Sequence, residues 1–160
     1  MFQRANIKTD LKNWIKSKPD WHHSVTLRHN RKKTLAQVQS DLKRLSARLA
    51  GITGGRKYYK RKNECPGILA VIEGSEESQN LHVHMLIWWP PEFATISAEI
   101  AETMIASEWE AIAGKSSSVW VEDKYGCAEA YLEYLMKGIW TAERFSDCLL
   151  VRNLPASATN

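Results

Sequence analysis

Apolar side chains recur along this chain with two periods, near 2 and near 3.6 residues, and the switches between them mark its elements. Ile7, Leu11, Trp14 and Ile15 fall at helical spacing within residues 3–17. The Lys18-Pro19 step ends that helix, because proline disfavours helix in its predecessor. Trp21 to Arg28 (Trp-His-His-Ser-Val-Thr-Leu-Arg) is the first strand. Leu35, Val38, Leu42, Leu45 and Leu49 then form one helical stripe, with Gly51 as the stop. Gly67 to Glu73 is a second strand. Polar residues 74–80 join it to a third, Leu81-His82-Val83-His84-Met85-Leu86-Ile87-Trp88-Trp89, in a hairpin with a long loop. After Pro90-Pro91, the positions Ile96, Ile100, Met104, Trp109 and Ile112 trace another helix, stopped by Gly114. Ser118 to Asp123 is a fourth strand, and a last helix runs from about Ala128 to Lys137. Residues 141–151 either add a strand or lie against the core, and a frayed tail follows from about 152. The order β-α-β-β-α-β-α with a central hairpin predicts an α+β domain with a mainly antiparallel sheet.

The third strand carries the first chemical signal. Side chains alternate across a strand, so His82 and His84 point the same way. Two imidazoles in an apolar strand are costly to bury unless something binds them, and a metal ion is one answer. Glu73, at the end of the preceding strand, shares a face with Leu69 and Val71, and the hairpin can bring its carboxylate to the pair. Pairing register is not legible here, so Glu76 and Glu77 in the loop stay as alternatives. Two imidazoles and a carboxylate suit Mn²⁺ and tolerate Mg²⁺, and the donor types alone also admit zinc or iron. His22 and His23 are adjacent and face opposite ways in a strand, which argues against a shared ligand role.

Charge changes the picture next. At 160 residues the chain is expected to be a single domain over 1–160 with net charge +4. Residues 1–62 hold 17 Lys and Arg against three Asp, an excess of 14, whereas residues 63–160 hold 5 against 15. Such an excess in one third of the chain predicts a face for a polyanion. Its members include Arg28, Arg31, Lys32 and Lys33 after the first strand. The run Gly54-Gly55-Arg56-Lys57-Tyr58-Tyr59-Lys60-Arg61-Lys62 adds two aromatics suited to base stacking. No apolar run reaches spanning length, and the N-terminus lacks a signal-peptide core. Cys65, Cys127 and Cys148 show no CxxC spacing and are expected to be reduced thiols of a cytoplasmic protein.

On the last helix, Ala128, Leu132, Leu135 and Ile139 cluster on one face at about 100° per residue. Tyr131 falls at the edge of that face, and Tyr134 lies further round with Lys137 at i+3. A phenol beside an ammonium is a candidate nucleophile, since the cation favours phenolate.

Together, His82-Val83-His84 in a strand, an acidic residue on the strand before it, and Tyr134-Leu135-Met136-Lys137 on a later helix resemble the HUH endonucleases. The likeness is greatest to the rolling-circle replication initiators (Rep proteins) of plasmids and single-stranded DNA phages. The order of elements matches over roughly residues 21–138, and Val25-Thr26-Leu27-Arg28 loosely resembles that family's first motif. The resemblance implies a ferredoxin-like or RRM-like sheet flanked by helices, a divalent metal (Mn²⁺ or Mg²⁺), and sequence-specific cutting of single-stranded DNA at an origin hairpin or loop. It makes His82 and His84 ligands, Glu73 the third, Tyr134 the nucleophile and Lys137 its helper. Some phage-type members use two tyrosines four residues apart. Tyr131 and Tyr134 are three apart, which favours a packing or DNA-contact role for Tyr131 and keeps it as the second candidate. The chain shows no helicase-like segment, so a host helicase and polymerase are the expected partners. A single-tyrosine transposase shares these motifs. A non-catalytic module that binds single-stranded nucleic acid shares only the sheet.

Overall fold

A computed structural model describes residues 21–61, 64–123 and 145–153, together with Thr9, Asn13, Ala130, Tyr131, Glu133 and Tyr134. The elements are β1 (His23–Arg28), α1 (Leu35–Gly54), β2 (Gly67–Glu73), β3 (His82–Trp88), α2 (Ala98–Ala113), β4 (Ser118–Asp123), a short α3 (Phe145–Cys148) and β5 (Leu149–Arg152). Single 3₁₀ turns occupy Tyr58–Lys60 and Pro91–Phe93. The five strands form one sheet in the order β4-β1-β3-β2-β5, every neighbouring pair antiparallel. β1 and β2 flank β3 and therefore run parallel to each other, each half of the β-α-β-β-α-β core contributing one crossover helix. This is the α+β, ferredoxin-like plan, and of the segment left open by the sequence Leu149–Arg152 forms the added strand β5.

Strand alternation builds the core. On β1, Val25 and Leu27 align with Met85 and Val83 of β3, and Ile68, Ala70 and Ile72 of β2 continue the same face. His29, next in that row, meets Asp41 of α1 and the ring of Trp109 of α2, so this is the face that the two long helices cover. Val38, Leu42, Leu45 and Leu49 of α1 are buried there, with Ala101, Ile105 and Trp109 of α2. At about 1.5–3 kcal/mol for each fully buried large apolar side chain, this face supplies the main folding drive. Trp109 also donates its indole N–H to the Arg28 carbonyl, tying α2 to the end of β1. Trp89 is fully buried, with its Nε1 donating to His23 Nδ1 and its backbone N–H to His22 Nδ1. Both histidines are thus occupied in holding the strand end.

Some boundaries differ from the periodicity, and β3 is one residue shorter at each end than Leu81–Trp89. β1 begins at His23, two residues after Trp21. α1 runs one turn past Gly51 and ends at Gly55, whose N–H bonds the Gly51 carbonyl at φ 70. A mid-helix glycine costs only about 1 kcal/mol, whereas the positive φ at Gly55 is what stops the helix. Thr34 caps α1 through a reciprocal bond with Gln37. Of the helix expected over residues 3–17, Thr9 and Asn13 are described, and both are helical. Cys65 and Cys148 are buried, and Cys127 lies outside the described residues. No helix among the described residues is long and apolar enough to cross a membrane.

Two buried imidazoles make stability acid-sensitive. Burial lowers the pKa of His23 and His29 from the ordinary 6.5, and it outweighs the nearby Asp123 and Asp41 carboxylates. Neutral His29 donates from Nε2 to Asp41 at 2.9 Å, which leaves its Nδ1 without a hydrogen-bond partner among the described residues. As pH falls through 6.5 the unfolded chain takes up protons that the folded one refuses. Stability is therefore expected to fall on acidification below that value and to be flat above it. Thermal melts at neutral and mildly acidic pH check this, and a melting temperature that rises with acid would contradict it.

Candidate metal centre

The other face of the sheet carries the polar rows. Ser24, Thr26 and Arg28 of β1 align with Leu86, His84 and His82 of β3, and with Glu122, Trp120 and Ser118 of β4. On the far side of β3, His84 and His82 align with Val71 and Glu73 of β2. Glu73 therefore stands directly opposite His82, at the hairpin end of the sheet.

This register brings three donors to one point. Glu73 Oε2 lies 3.3 Å from His82 Nε2 and 3.1 Å from His84 Nε2. The three ligand atoms all lie within 4.8 Å of one another. Donors about 2.1 Å from a common ion, at tetrahedral to octahedral angles, stand about 3.0–3.4 Å apart. The spacing fits.

The remaining ring nitrogens are held from behind. His82 Nδ1 lies 2.8 Å from the Asn80 carbonyl and His84 Nδ1 3.2 Å from Thr26 Oγ1. Placing a proton on each Nδ1 leaves both Nε2 lone pairs directed at the cluster, the arrangement a ligating histidine needs. Burial is the largest influence on His84 and lowers its pKa, helped by repulsion from His82 and Arg28 and opposed by Glu73. The neutral imidazole that a metal requires is thereby favoured. This His-His-Glu cluster can hold a metal ion. No family model, curated protein or solved structure matches the chain.

The alternatives to Glu73 are used elsewhere or stand apart. Glu76 accepts the Leu35 N–H at the start of α1, a favourable place for a carboxylate at a helix N-terminus. Glu77 is exposed and outside the cluster. The hairpin loop instead serves the site through its backbone. Gly74 has φ 98, and a Cβ there would stand 2.5 Å from the Asn80 carbonyl oxygen, the same oxygen that orients His82. Gly74→Ala is expected to destabilise the fold by about 1–3 kcal/mol through backbone strain and to weaken metal binding by about 10–100-fold through the displaced Asn80. Denaturant unfolding and Mn²⁺ titration measure the two effects separately.

Tyr131 meets this face. It hydrogen-bonds the Ser24 side chain, in the same β1 row set as Thr26, and is half-buried against the core. Burial raises its pKa, with Glu122 and Tyr134 adding and the Ser24 bond opposing. Tyr134 is 69% exposed. Lys137 lies outside the described residues, as does Lys62.

The basic residues separate into two groups. Arg28 ends β1 at the metal end of the sheet and Arg31, Lys32 and Lys33 follow it, with Lys33 drawn to Asp41 at 3.5 Å. Arg56, Lys57, Tyr58, Tyr59, Lys60 and Arg61 precede β2 at its opposite end. The strand between them spans roughly 20 Å. In that second group Arg61 pairs with Glu64, and Lys60 lies over the exposed Tyr59 ring. Residues beside the cluster that motif reading passed over are Ser24, near Tyr131, and Asn80, behind His82. Alternation in β1 signals the face of Ser24, but only the strand pairing shows what it stands beside.

Proposed function

We propose that this protein is an HUH-type, metal-dependent endonuclease and strand transferase that nicks and rejoins single-stranded DNA through a 5′-phosphotyrosine, initiating rolling-circle replication of a plasmid or phage. One observation carries the reading: Glu73, His82 and His84 converge on the same sheet face to which the tyrosine-bearing helix is bonded through Tyr131 and Ser24. The donor set, two nitrogens and one oxygen, suits Mn²⁺ or Mg²⁺ with positions left for phosphate. A bound ion supplies Lewis-acid polarisation of a non-bridging phosphate oxygen.

The chain's own residues do the rest. Thr26 and Asn80 fix the two imidazoles, and Arg28, exposed in the row beside His82, offers a cation to the DNA backbone. The Tyr134 oxygen attacks phosphorus in line. An O–P bond forms to the phenol, the bond to the 3′ oxygen breaks, and the 3′ oxygen leaves as a hydroxyl after taking a proton. Rejoining reverses these steps, with a 3′-hydroxyl displacing Tyr134. Tyr131, its hydroxyl engaged by Ser24, fits an anchoring role, which leaves the exposed Tyr134 free to act. Lys137 is the charge partner that the sequence resemblance assigns to it.

The test is adduct capture. The purified protein is incubated with Mn²⁺ and a pool of randomised single-stranded hairpins labelled at the 3′ end. A labelled band that survives SDS and disappears with EDTA is expected. A gel shift without such a band would instead support the non-catalytic binding module. A single-tyrosine transposase would form the adduct too, and would be recognised by paired strand exchange between two DNA ends.

A further inference from the structure

We propose that Trp120 is a nucleobase-stacking subsite, so that single-stranded DNA crosses the sheet from the metal cluster on β3, over β1, to an indole platform on β4. The proposal rests on the nicking reading above and adds to it the path of the strand.

Trp120 is 63% exposed, although it sits in the middle of a strand whose neighbours Val119 and Val121 pack inward. Cross-strand pairing sets it in one row with Thr26 and His84. Two interstrand steps put it about 10 Å from the His84 backbone. Only the small Thr26 side chain stands between them in that row. The adjoining row runs Ser118, Arg28, His82, and it presents the exposed Arg28 guanidinium with no carboxylate partner among the described residues. The row on the other side ends in the exposed carboxylate of Glu122.

This layout discriminates between the parts of a nucleotide. Phosphate is favoured over Arg28 and the metal cluster and disfavoured beside Glu122, so the group that reaches Trp120 is a base. Every base has a π-face, and an indole with its own face open to solvent can stack on it at little ordering cost. Single strands are commonly read on open antiparallel sheets in this way.

The experiment measures anisotropy of a fluorescein-labelled oligothymidylate in EDTA, beside an abasic deoxyribose-phosphate strand of the same length. Trp120→Ala should weaken binding of the oligothymidylate by about 5- to 140-fold, the range that loss of one stacked base produces. It should leave the abasic strand unaffected, and Trp120→Phe should retain most of the affinity. Arg28→Ala should weaken both strands and reduce the salt slope by about 0.7. Circular dichroism melts confirm that each variant is folded. Equal losses on both strands, or none on either, overturn the subsite. A Trp120→Ala change that dissociates a dimer in sedimentation while DNA affinity stays unchanged overturns it in favour of a second copy of this chain. If the wild type forms the covalent adduct while Trp120→Ala binds normally, only the subsite falls. If the wild type neither binds oligothymidylate nor forms the adduct, both readings fall.

Discussion

Tyr134→Phe is expected to abolish the SDS-resistant protein–DNA adduct, reducing its rate of formation by at least about 10⁴-fold, as removal of a covalent nucleophile does. Phenylalanine keeps the ring and removes only the attacking oxygen, and at an exposed position it should leave stability near that of the wild type. DNA affinity should likewise be unchanged. The matched control is Tyr131→Phe. It removes the bond to Ser24 and should cost about 1 kcal/mol of stability while still forming the adduct. The measurement is band intensity over time with 3′-labelled DNA, since the downstream fragment is the one that stays attached. Loss of the band in Tyr131→Phe and its retention in Tyr134→Phe would transfer the nucleophile to the half-buried tyrosine.

The second large effect concerns the metal. His84→Ala removes one of three ligands and is expected to weaken Mn²⁺ binding by well over about 100-fold, beyond what loss of a supporting hydrogen bond costs. The readout need not be catalytic. Metal at 100 times its Kd stabilises the folded state by about 2.7 kcal/mol, so Mn²⁺ should raise the melting temperature of the wild type and not of the variant. Thr26→Val is the graded companion. It keeps His84 but removes the hydroxyl at its Nδ1, and should cost about 10–100-fold in affinity. Wild-type Mn²⁺ affinity in His84→Ala would show that the cluster is a set of hydrogen-bonded side chains with no metal role.

These effects differ in how far they were readable from the residues in order. The hairpin and the four core strands follow from short apolar runs and a long polar loop, and the shared face of the two histidines from strand alternation. Both long helices follow from their apolar stripes, and the end of α1 was misplaced because Gly51 and Gly55 look alike until φ is known. Glu73 was identifiable as a candidate but could not be separated from Glu76 and Glu77. Register decided in its favour, and the α1 N-terminus claimed Glu76. The basic excess was plain in composition, yet its placement was not. Charge counts carry no positions in space.

By itself, then, the order of residues determined the element types, the common direction of His82 and His84, the lopsided charge and the presence of two nearby tyrosines. Each depends on the local geometry of a helix or strand, which repeats every few residues and needs no partner. Only the tertiary structure decided that Glu73 closes the cluster, that Thr26 and Asn80 orient its histidines, that Ser24 holds Tyr131 on the same face, and that Trp120 shares a row with His84. Those facts depend on strand pairing. A slip of one residue leaves every local pattern intact and turns each of these side chains away from the others.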